Sequence, residues 1–220
     1  MTSVGTRTRT ALLAVALSSG CASGDLLLDD RTLAADSQGY SNTLRRWTKQ
    51  HKVYRHFEAL IFTTATYLSP EFRKAYIQRR KRLLGLPNSE ARRLEVEHEE
   101  RNQRYHEFIV SVYTAERRWN DLDAKPSMWR ISLANDRQQE VSPSEVIRQD
   151  LRTGDLQAYF PYLTVFQQAY LVRFPKQSLE LGSPVIDPST RSFRLRFLSG
   201  IAVSELTWAI HKPSSGAAGY

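Results

Sequence analysis

Five histidines, a single cysteine and a dense set of acids and arginines are the side chains of this sequence that could do chemistry. Two imidazoles one helical turn apart grip a zinc ion, and His98-Glu99-Glu100-Arg101-Asn102 has the spacing of that motif. Asn102 stands where the second imidazole is needed, so the metal has nothing to close on. Glu95-x-x-His98 is half of a carboxylate di-iron site, which also requires a second such pair and two further carboxylates. No second pair exists in the sequence. No metal or other cofactor is therefore expected, and His98 reads as a surface side chain on a charged helix. Gly-x-Ser-x-Gly, a P-loop and Gly-x-Gly-x-x-Gly are all missing, which removes the common nucleophile and phosphate-cradle chemistries. A dispersed pair of acids leaves no sequence signature, so a carboxylate-dependent hydrolase stays open as the alternative to a non-enzymatic reading.

Cys21 is the one thiol, so no disulfide can form within the chain and the fold must rest on its core. What precedes it is patterned. Residues 1–10 carry Arg7 and Arg9 and no acid, residues 11–17 are the apolar run Ala-Leu-Leu-Ala-Val-Ala-Leu, and Ser18-Ser19-Gly20 are small. This order of charge, apolar run and small residues is the layout of an export signal over residues 1–20. The apolar run falls well short of the roughly 18–20 residues that span a bilayer. Leu17-Ser18-Ser19-Gly20-Cys21 resembles a bacterial lipobox, with Ser18 where the family usually has an aliphatic and the leucine one place further back. The resemblance implies that Cys21 is diacylated and becomes the mature N-terminus of a lipoprotein. With Ala22 rather than Asp next in the chain, it further implies an outer-membrane address. Ordinary secretion into the periplasm is the alternative. Residues 21–40 then read as a tether and 213–220 as a frayed tail.

Length, 220 residues, fits one domain, placed here at residues 41–212, and 41% hydrophobic with 25% charged residues are ordinary globular values. Losing Arg7 and Arg9 with the signal leaves 29 basic and 23 acidic side chains. An excess of six positive charges could favour an anionic surface, but an exported protein has little access to nucleic acid, so none is expected as a partner.

The elements follow from period and punctuation. Residues 41–50 predict a short helix, and 53–68, rich in β-branched and aromatic residues, predict one long strand. Ser69-Pro70-Glu71 is a helix start, with its stop at Leu84-Gly85 and Pro87, and Asn88-Ser89-Glu90 opens a second helix to about Tyr105. That second helix is polar almost all round and should lie in solvent. Phe108–Thr114, Met128–Leu133, Gln168–Phe174, Arg191–Leu198 and Ile201–Ile210 predict strands, with Ser199-Gly200 as a hairpin turn. The reading is α+β and mainly β: an antiparallel, immunoglobulin-like sandwich of six or seven strands, with a helical pair at about 70–105 inserted between its first two strands.

The first helix carries a basic run, Arg73, Lys74, Arg79, Arg80, Lys81 and Arg82, opposite an acidic run, Glu95, Glu97, Glu99 and Glu100, on the next. These six basic residues are candidates for contact with a membrane surface or a partner, against the blander reading of two oppositely charged, solvated helices. Trp129 and Trp208 sit among apolar neighbours and predict core packing. Tyr159-Phe160-Pro161-Tyr162 reads as a loop cluster, either an exposed recognition edge or a lid over the end of the sandwich. The sequence thus predicts a lipid-anchored envelope protein that binds a protein partner or aids an assembly, with a periplasmic hydrolase as the alternative.

Overall fold

The computed structural model describes residues 38–152, 155–177 and 182–210; Cys21, the signal, most of the tether and the tail lie outside them. The chain begins with α1 (Gln38–Trp47), followed by β1 (Thr48–Arg55) and β2 (Glu58–Tyr67). Two helices come next, α2 (Pro70–Leu84) and α3 (Asn88–Arg104), then β3 (Tyr105–Thr114). The remaining strands are β4 (Arg130–Asn135), β5 (Glu140–Val141), β6 (Glu145–Gln149), β7 (Gln168–Pro175), β8 (Ser192–Leu198) and β9 (Val203–Ala209). All pairings are antiparallel, in a five-stranded sheet ordered β1-β2-β3-β7-β6 and a four-stranded sheet ordered β5-β4-β8-β9.

Side chains alternate across a strand, so β3 can serve two layers at once. Phe108, Val110 and Val112 point toward the second sheet, joining Val172 and Phe174 of β7, Leu133 of β4, Leu195 of β8 and Leu206 of β9 in the sandwich core. Trp208 and Phe193 stack at 5.4 Å and 11°, and Trp208 lies 5.4 Å from Phe108, so both sheets share one aromatic centre. Ile109 points the other way, packing with Ala169 of β7 against Tyr40 and Leu44 of α1, Phe72 of α2 and Phe160. The molecule is therefore three layers deep: helices, five-stranded sheet, four-stranded sheet. As the sequence predicted, Phe193, Leu195 and Phe197 of β8 are buried. Arg196 turns outward to pair with Glu205 at 2.7 Å.

The helix punctuation holds in atomic detail. Ser69 Oγ accepts from Phe72 N at 3.0 Å, Pro70 occupies the first turn, and Gly85 ends α2 in the left-handed region at φ 59°. The segment predicted as one strand over 53–68 is instead a hairpin, turning at His56-Phe57 between β1 and β2. His56 adopts φ 54° to make that turn. A non-glycine residue in the left-handed region gives no warning in sequence, which is why the break was hidden. The predicted helix 41–50 stops at Trp47, because Thr48 already pairs with Thr66 of β2. β1 also leans on β9, with His51 Nδ1 3.0 Å from Ser204 Oγ, and the end of α1 is held there too, Trp208 Nε1 donating to Trp47 O at 2.8 Å.

There are nine strands among the described residues rather than six or seven. The missed β5 and β6 are short strands at sheet edges, where charge suppresses the apolar alternation that marks a strand. With β1 counted, the helical pair enters between the second and third strands, not the first two. Within the described residues no helix is long and apolar enough to cross a membrane.

Candidate functional site

A buried charge in the middle of a strand needs a partner, because desolvation otherwise penalises the ionised form heavily. Glu107 of β3 is such a charge, 2% exposed on the helix-facing side of the five-stranded sheet. Arg73 of α2, itself 4% exposed, reaches it with Nη2 at 2.7 Å. Arg173 of β7 holds the other carboxylate oxygen through Nε at 2.7 Å and continues to Glu145 of β6 through Nη1 at 2.6 Å. Burial pushes the Glu107 carboxyl up, but the hydrogen bonds and charges of Arg73 and then Arg173 prevail and hold it below the ordinary carboxylate range. Arg73 Nε also donates to Leu68 O at 2.9 Å, so the guanidinium is fixed in position.

Arg73 Nη1 lies 3.2 Å from His98 Nδ1 of α3. A guanidinium only donates, so Nδ1 accepts and the neutral ring carries its proton on Nε2. Burial first, then the positive charges of Arg101 and Arg73, pull the His98 pKa down to about 4. A base near 4 is mostly idle at neutral pH, and a carboxylate locked between two arginines is a poor proton acceptor. This cluster is built to hold charge in place rather than to pass protons.

Beside it lies a half-open cavity of about 210 Å³. Leu68, Phe72, Ile109, Leu156, Phe160 and Leu171 give it apolar walls, and Arg73, Arg80, Arg101, His98, Glu107 and Tyr76 give it polar ones. Phe72, Tyr76 and Phe160 form a ring cluster with centroids 5.7 to 6.3 Å apart. The cluster Tyr159-Phe160-Pro161-Tyr162 is thus neither an exposed edge nor a lid on the end of the sandwich. Tyr159 and Phe160 are buried against α2, Tyr162 Oη bonds Thr66 Oγ1 at 2.8 Å, and the segment closes the seam between helices and sheet.

The six basic candidates separate. Arg73 and Arg79 are buried, which removes them from any membrane or partner surface. Arg79 donates to Ala158 O at 3.1 Å and covers the Tyr40 ring at 4.7 Å. Arg80 is half-buried at the cavity, Lys81 donates to Asn88 Oδ1 at 2.6 Å, and Lys74 and Arg82 are exposed. Sequence reading missed Glu107 and Arg173 and placed His98 on the surface. Its available signal was an acid interrupting the otherwise apolar run Phe108–Tyr113 at its edge.

Trp129 and Trp208 are core side chains as expected, 4% and 1% exposed. Glu95, His98 and Glu99 line a shallow groove with Lys74 between α2 and α3. Among the described residues no group of three or more His, Cys, Asp or Glu is placed to hold a metal ion. Comparison of the chain with protein-family models, with curated proteins and with solved structures found no match.

Proposed function

We propose that this chain is a lipoprotein of the bacterial outer membrane, anchored through acylated Cys21, whose folded part is a non-enzymatic binding module on an immunoglobulin-like sandwich. A partner protein in the same envelope completes the reading. The observation that carries the binding half is the cavity between helices and sheet. Its one carboxylate is locked between Arg73 and Arg173, and the remaining charges around it are arginines. A hydrolase using carboxylates needs acids converging on open space, and this cavity offers none that is free.

The sandwich type is supported by strand order. Taking β2 as the first strand, β2-β3-β7-β6 against β5-β4-β8-β9 follows the A-B-E-D and C′-C-F-G sheets of that class. The helical pair then lies in the A–B connection, and β1 is an added strand on the A edge. The address rests on residues 1–22, with their charged start, short apolar run and Ser-Gly approach to Cys21.

Expressing wild type and Cys21→Ala in a Gram-negative host with labelled palmitate tests the anchor. Wild type should carry label and sediment with outer membranes, because two or more acyl chains give stable anchoring. Cys21→Ala should be unlabelled. Unlabelled wild type in the soluble periplasm would overturn the lipoprotein reading.

A further inference from the structure

The cavity beside Glu107 has an unbalanced set of charges. Three guanidinium groups, of Arg73, Arg80 and Arg101, line it against the single carboxylate of Glu107, and that carboxylate is shared with Arg173. His98 adds little positive charge at neutral pH, since burial first, and then the charges of Arg101, Arg73 and Arg80, lowers its pKa to about 4. Arg80 Nε and Arg101 Nε are buried without a hydrogen-bond partner. Donors placed in that way are costly unless something accepts from them. Those Nε atoms are shut off from the cavity itself, but the same two guanidinium groups line it, and an anion there would accept from the N–H groups they present.

The other half of the cavity is apolar. Phe72, Phe160, Ile109 and Leu171 are side chains that gain from covering a hydrocarbon or an aromatic ring. At about 210 Å³ the space equals roughly seven waters at about 30 Å³ each, or one small molecule of about ten bonded heavy atoms. That is below the range of roughly 300–1,000 Å³ typical of drug-sized ligands, so the occupant is small.

We propose that this cavity binds a small monocarboxylate with an apolar tail, its carboxylate received by Arg80 and Arg101 and its tail laid on Phe72, Phe160 and Leu171. The proposal rests on the binding-module reading and names the ligand class of that site. Guanidinium forks match a carboxylate in two parallel bonds, and a tail buried on apolar walls separates such a ligand from simple anions.

Calorimetric titration of the full chain carrying Cys21→Ala, which needs no detergent, tests it with octanoate, octan-1-ol and inorganic phosphate as probes. Octanoate should bind at least about tenfold more tightly than either of the others. Arg80→Gln with Arg101→Gln should weaken octanoate by at least about tenfold while leaving octan-1-ol and the melting temperature unchanged. Both residues lie outside the Arg73–Glu107–Arg173 lock, so folding survives their loss. Octan-1-ol binding as tightly as octanoate would overturn the anionic ligand and leave the binding module standing. Phosphate binding as tightly as octanoate would overturn the role of the tail. Octanoate affinity unchanged in the double variant would overturn the arginine site, and no binding of any probe would overturn this proposal while leaving the protein-binding reading standing.

Discussion

The two faces of the five-stranded sheet are held by different physics, although β3 supplies both from consecutive residues. Phe108 faces the sandwich core, packed among Tyr67, Phe174, Phe193 and Trp208. Glu107 faces the helices and is held by two arginines from elements 34 and 66 residues away. One face gains free energy from area removed from water, which is non-directional and tolerant of shape. The other depends on charges meeting at hydrogen-bond distance, which is directional and intolerant of a missing partner. The core face keeps its few polar groups, such as His106 and Thr63, buried between the sheets and away from solvent. The ion-paired face leaves arginines beside open space, and that is where a site can form.

Removing either neighbour should produce the largest effects and separate the two mechanisms. Phe108→Ala should lower the unfolding free energy by about 3–5 kcal/mol through a cavity in the core. Glu107→Ala should cost a similar 3–5 kcal/mol by stranding Arg73 without its counter-charge. Urea unfolding measures both, and a second substitution tells them apart. Arg73→Met combined with Glu107→Met should recover most of the loss, since well-packed apolar residues can replace a buried pair. A Glu107→Ala loss below about 1 kcal/mol would mean the ion-paired face contributes no more than a surface salt bridge.

Acid should find histidines on both sides. His106, on the core-facing side of β3 with Nδ1 3.0 Å from Tyr67 Oη, has its pKa lowered to about 3, by burial first and then by Lys176 and Arg73. His98, among the helices, is lowered to about 4. A base depressed in the folded state takes up protons more readily when unfolded. Its full stability is therefore present above about pH 6.5 and is lost as pH falls toward the folded value. At about 1.4 kcal/mol per pKa unit, His106 should account for up to about 3 kcal/mol lost between pH 6.5 and 4.5. His106→Gln should flatten that part of the profile in urea unfolding at pH 7 and 4.5, and an unchanged slope would locate the acid sensitivity elsewhere.

The smallest effect should come from the element that carries the arginines. Ser69→Ala removes the hydroxyl that accepts from Phe72 N and should cost about 1 kcal/mol. If Phe72 and Arg73 shift with the start of α2, octanoate affinity should fall along with the melting temperature. Loss of stability alone would show that the sheet, not the cap, positions Arg73.

Much of the scaffold was legible in the sequence, and little of the site. Ser69-Pro70, Leu84-Gly85 and the alternation Phe193-Arg194-Leu195-Arg196-Phe197 are local devices, read from residues a few places apart. The hairpin at His56-Phe57 was not legible, because its turn uses a strained histidine instead of glycine or asparagine. β5 and β6 were not legible because edge strands hide their period under charge. Arg73 looked like one of six surface bases, since it opens a run of basic residues on one helix and nothing local shows that it turns inward.

By itself, then, the sequence determined the mainly β composition, the boundaries of α2 and α3, and the patterned approach to Cys21. Each depends on interactions within a few residues or on composition alone. Only the tertiary structure decided which face of β3 meets which layer, that Glu107 is gripped from α2 and β7, and that Arg80 and Arg101 line an apolar cavity. Those facts depend on sheet register and helix docking, where residues far apart in the chain are brought together by burial that no local spacing records.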